Sequence, residues 1–167
     1  MKFNQSFWGG LLLGASLTLS LGWGAHPGNE EGGAPAELTV VPDAEKKIAQ
    51  DKKLEGPTKT HGIEGVKTLV ELSLGSEFPG LEGQQMRARE LVVGAGAVVA
   101  VHQHEKRPGF AYMLEGEMVE HRNDTEGAIV RRVGDVAIER TGVSHYWENK
   151  SGKVARAIVV DIVPMAK

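Results

Sequence analysis

Ala97-Val-Val-Ala-Val-His-Gln-His104 has the β-branched, apolar texture of a strand. Side chains on a strand alternate between two faces, so its two histidines project to the same side and their imidazoles converge. Such a pair suits a divalent first-row ion, because imidazole is a borderline ligand and the rigid backbone fixes the spacing of the two nitrogens. A third ligand must come from elsewhere. His145 stands about forty residues on, behind a turn at Gly142, in Gly134-Asp-Val-Ala-Ile-Glu-Arg-Thr-Gly-Val-Ser-His-Tyr-Trp-Glu-Asn149. That separation lets antiparallel strands carry it back across a barrel.

Outward from this stretch, short runs rich in Val, Leu and Ile alternate with Gly-containing turns from residue 65 onward. This is the spacing of an all-β domain. Strands are expected over 66–74, 86–93, 97–104, 110–114, 117–122, 128–133, 135–139, 144–149 and 153–163. Glu115-Gly116 reads as a tight hairpin connection and Asn123-Asp-Thr-Glu-Gly127 as a looser one. The last strand has Val154, Arg156, Ile158, Val160 and Ile162 on one face and Ala155, Ala157, Val159, Asp161 and Val163 on the other. Apolar residues on both faces suggest a strand packed on each side, as in a sandwich or closed barrel.

The two histidine segments resemble, in order, the two motifs of the cupin superfamily. Gly96, His102, His104 and Gly116 fall in the register of the first motif, and Gly134, Gly142, His145 and Asn149 in that of the second. The resemblance spans roughly residues 65–163 and implies a double-stranded β-helix, the jelly-roll-like cupin barrel. It also implies a divalent metal held by His102, His104 and His145, with Fe, Mn, Zn, Ni and Cu not distinguished. Two positions depart from the pattern: Gly109 stands where the family has a glutamate ligand, and Arg140 where it has a proline. Water, Glu105 or His121 would then complete the shell. The alternative is a set of hydrogen-bonded histidines lining an empty barrel.

Residues 1–25 read as an address. Lys2 precedes an uncharged apolar run over 7–21, and Gly22 and Gly24 suit a signal-peptidase cut. An uncleaved anchor over 7–25 is the alternative, so the protein is expected to be exported, periplasmic or extracellular, or else tethered to a membrane. Residues 26–64, dense in Gly, Pro and charge, read as a flexible linker, leaving 65–167 as the cupin domain. The chain has no cysteine, which excludes disulfides, thiolate zinc sites and thiol nucleophiles. A net charge of −3 with interspersed signs excludes a nucleic-acid footprint.

Tyr112, Arg140 and Trp147 are candidate pocket residues, with Arg140 able to hold a carboxylate by paired hydrogen bonds or simply to face solvent. Arg87 and Arg89 share one strand face and admit the same two readings; Arg107 could border the opening. Two functions follow. One is a metal-dependent oxygenase or isomerase acting on a small molecule; the other is a non-catalytic module that binds or senses a small molecule or metal. A homodimer formed through barrel faces is compatible with either.

Overall fold

The computed structural model describes residues 54–165, which form eight strands and no helix. The candidate signal segment and most of the candidate linker lie outside the described residues. Among those described, no helix is long and apolar enough to cross a membrane. In chain order the strands are β1 (His61–Ser73), β2 (Gln84–Gln103), β3 (Gly109–Glu115), β4 (Glu117–Arg122), β5 (Ala128–Arg132), β6 (Val136–Glu139), β7 (Ser144–Glu148) and β8 (Ala155–Pro164).

The sheet runs β5-β4-β7-β2-β8-β3-β6, with β1 added alongside β2. All its pairings are antiparallel. The two runs expected as separate strands, 86–93 and 97–104, are one continuous element. The first half of β2 pairs with β8 and the second half with β7. The glycines between them bend the strand instead of ending it. Gly96 sits at φ +74°, in the left-handed region, and Gly94 packs so closely on Gly62 and Glu64 that a Cβ there would lie 2.5 Å from a carboxylate oxygen. One bent strand thus serves both halves of the barrel.

β1 starts at His61, inside the stretch read as linker. Just before it, Pro57 accepts a hydrogen bond from the Val101 amide at 2.8 Å, and the Thr60 hydroxyl accepts one from the Ala100 amide at 3.0 Å. Composition marked this segment as mobile, but pairing with β2 satisfies its backbone and holds it.

Inside, Leu91, Val93, Val99, Met113, Met118 and Trp147 belong to a single core with alanines and valines of the facing strands. β8 places Ala155, Ala157, Val159, Asp161 and Val163 in the interior. Its other face is half-buried, so the strand is packed fully on one side and only partly on the other. The outer surface beside it carries Phe110, Tyr112, Val136 and Ile138, all exposed.

The barrel's two edges, β5 and β6, are joined by side chains. Arg122 donates to the Ile138 carbonyl and Arg131 to the Val136 carbonyl, each at 3.1 Å. A bare strand edge presents unpaired acceptors; here two guanidiniums occupy them.

Asn149 secures the bend in β2. Its side-chain amide donates to the carbonyls of Val93, Gly94 and Lys153 at 2.7–3.0 Å, and its backbone is paired with Gly96 and Ala97. Asn149→Ala strands these buried acceptors and is expected to cost about 2 kcal/mol. Urea denaturation should show a lower midpoint with an unchanged slope.

Candidate metal centre

His102 on β2 and His145 on β7 are direct cross-strand partners. His104 follows one residue beyond the end of β2. All three rings are buried, and one ligand atom from each lies within 4.8 Å of the others. The Nε2 atoms come closest, at 3.0 Å for His104 to His145 and 3.1 Å for His145 to His102.

The outer nitrogens are each engaged. His102 Nδ1 lies 2.7 Å from the Ala100 carbonyl, His104 Nδ1 is 3.3 Å from the Arg107 carbonyl, and His145 Nδ1 is 2.8 Å from Glu120 Oε1. An oxygen acceptor needs a proton from its partner, so each Nδ1 carries the hydrogen and each Nε2 keeps a lone pair. Three lone pairs directed at one another repel unless a cation sits between them. Neighbouring donors bound at roughly 2.0–2.1 Å and near right angles stand about 3 Å apart, which is the separation found. The donor set fits a divalent ion.

Burial is the leading cause that pushes all three imidazoles below their ordinary 6.5, with His102 well below it and His104 at about 2. Neighbouring histidines and Arg107 add to the effect at His102 and His104. Neutral rings are the form that ligates.

Glu120 on β4 is wholly buried and supports the site from behind. It accepts from His145, from Arg122 at 2.8 Å and from Arg131 at 2.9 Å. Desolvation alone would raise its carboxyl, yet the hydrogen bonds from His145, Arg122 and Arg131 hold it at about 2. A carboxylate behind a ligating histidine fixes the ring's orientation and raises its basicity.

Of the other residues singled out from sequence, Trp147 lines the cavity beside the histidines. Tyr112 does not: Ala111 and Met113 face inward on β3, so Tyr112 faces out and is 37% exposed. Arg140 lies just past β6, its side chain 64% exposed and 3.8 Å from Asp124. Neither candidate ligand for the vacant glutamate position joins the cluster. Glu105 bonds to Gln103, and His121 pairs with Glu148 and stacks on Tyr146.

Gly109 has a steric explanation. A Cβ there would lie 2.1 Å from the Val160 carbonyl and 2.9 Å from Asp161 Cα, so the close approach of β3 and β8 admits no side chain. The carboxyl nearest this end of the site comes instead from Glu139, the cross-strand partner of Gly109. Its Oε2 stands 3.4 Å from His104 Nδ1, and it lines the cavity. Burial, foremost, pushes its carboxyl up to about 8. With His104 neutral and Glu139 protonated, the contact is not an ion pair at neutral pH.

The cavity measures about 50 Å³, room for roughly three to five waters. Leu91, Val93, Val99, Met113 and Val159 form its apolar wall, and Arg89, Arg107, His102, His104 and Glu139 its polar part.

The family model described as "Cupin domain" matches residues 89–161. The barrel is a cupin domain. Similar solved structures include a predicted oxalate decarboxylase from Thermotoga maritima, 20% identical, covering 63% of this chain and 98% of that one with a TM-score of 0.42. Another is an RmlC-like cupin family protein with a double-stranded β-helix fold from Methanocaldococcus jannaschii, 16% identical, covering 62% and 83% with a TM-score of 0.47. Likeness at this level says nothing of substrate. No curated protein matches the chain. Within the cupin barrel, Glu120, Glu139, Arg89 and Asp161 are the site residues that motif matching passes over.

Glu139 gives the cupin a characteristic pH response. Its folded carboxyl is raised, whereas the unfolded one ionises near 4.5. The contribution of the protonated form is therefore complete below that value and lost as pH rises through about 8. In urea denaturation of the metal-free protein, the stability of Glu139→Gln relative to wild type should improve between pH 5 and pH 8. An unchanged difference would contradict the assignment.

Proposed function

We propose that this is an exported, metal-dependent cupin that acts on a small molecule in the barrel cavity. The observation that carries the reading is the convergence of three Nε2 lone pairs, with that of His145 about 3 Å from each of the other two and each ring fixed by an acceptor on its far nitrogen. His102, His104 and His145 would hold a divalent ion. When bound, the ion would supply Lewis-acid polarisation of a chelated substrate or of oxygen.

The chain's own residues do the rest. Glu120 orients His145 and, through Arg122 and Arg131, is tied to the β6 edge. The apolar wall keeps bulk water from the reacting end, which strengthens each polar contact made there. Glu139 lines the cavity 3.4 Å from His104, placing a carboxyl where the family's glutamate position offers no side chain. This group supports oxidation or isomerisation over simple capture. The export part of the proposal rests on residues 1–25.

Metal content of the purified full chain, with oxygen uptake in the presence of small carboxylates and thiols, tests the reading. Stoichiometric metal with turnover is expected, and His102→Ala should reduce the metal to background. Glu120→Gln should weaken binding about 10–100-fold. Stoichiometric metal without turnover would leave a binding module, and unchanged metal in His102→Ala would remove the site.

A further inference from the structure

Five strands, in the order β1-β2-β8-β3-β6, form one side of the barrel and turn a second face outward. Cross-strand pairing sets the rows of side chains on that face. Val70, Ala88, Val160, Phe110 and Ile138 lie side by side across all five strands. The row on one side of them holds Leu72, Met86 and Ile162, and the row on the other holds Ile158, Tyr112 and Val136. None of these side chains belongs to the core inside the barrel. Val70 is 56% exposed, Ile138 52% and Val136 43%.

Charge is confined to one end of the face. Lys67 and Glu90 continue the row of Ile158, and Arg156 and Glu115 form the next, with Arg156 bound to both glutamates. The charges of this margin cancel.

Strands about 4.8 Å apart and rows about 7 Å apart along them give an apolar face of roughly 24 by 20 Å. With its charged margin it approaches the roughly 800 Å² that each partner gives to a stable interface. Few monomers leave so wide an apolar patch in water. A bilayer surface would call for a basic margin, and the neutral margin here does not provide one. Flat sheet faces pack well on one another, about 10 Å apart with their strands nearly aligned. Because the charges stand at one end only, a two-fold axis lying across the strands sets two margins at opposite ends and lays apolar rows on apolar rows.

We infer that this face packs against the same face of a second copy, making a two-fold dimer with Val160 and Phe110 near its centre. The surface lies on the outside of the barrel, so the inference goes beyond the metal reading and does not depend on it.

Sedimentation equilibrium of the full chain tests this. Phe110→Glu and Ile138→Glu are compared with Val130→Glu, which puts the same charge at an exposed position of β5, outside this face. Wild type and Val130→Glu should sediment as dimers at micromolar concentration. A carboxylate within the face finds no partner when two copies meet, so the other two variants should raise the dissociation constant about thirtyfold or more, with far-UV circular dichroism unchanged. A wild type that stays monomeric, including one that binds phosphatidylcholine vesicles instead, would overturn the inference. So would a dimer that neither substitution in the face weakens, or one that Val130→Glu weakens as strongly. If Phe110→Glu fails to fold, Ile138→Glu decides, since its side chain is half exposed on an edge strand.

Discussion

A single buried carboxylate ties the barrel to its site. Glu120 accepts from His145 on one oxygen and binds Arg122 and Arg131 as well. Those arginines also cap carbonyls of β6, the opposite edge of the sheet. An ionised carboxylate in the interior survives only when several donors surround it, and the donors here are the parts that must be held together. Loss of that charge would loosen both the closure of the barrel and the orientation of a ligating ring.

A second buried carboxylate beside the cavity is organised on the same principle. Asp161 gathers three arginines on the interior face of β8, and the close passage of β3 over β8 at Gly109 leaves no space there for a side chain. Two buried carboxylates therefore anchor the surroundings of one small cavity, Glu120 behind the histidines and Asp161 beside them. Both carboxylates are themselves buried, so their contacts act at short range in a weakly screening interior.

The fold was legible because the two histidine segments carry it: alternating apolar runs, glycines at fixed offsets, and a third histidine at a distance that antiparallel strands can span. The sequence suggests a break at 94–96 where the strand is continuous, because glycine weakens a strand pattern whether the chain turns away or merely bends. Near residue 60 the composition is that of a linker, and composition does not register backbone pairing with β2. Within the site, proximity to the motifs was the weaker guide and strand parity the stronger one. Tyr112 neighbours the motif yet alternates outward between Ala111 and Met113. Arg89, Glu120, Glu139 and Asp161 share the inward parity of Leu91, Met118, Ala137 and Val159. A charged residue in phase with a buried apolar row was the available signal. Its partners were not legible, since Asp161 meets Arg87 from 74 residues away and Arg107 from 54.

X-ray absorption on the zinc-loaded full chain tests the central claim most directly. Three imidazole nitrogens at about 2.0–2.1 Å, with the outer-ring scattering that marks histidine, are expected. A shell of oxygen donors without imidazole scattering would contradict the convergence of His102, His104 and His145 on one ion.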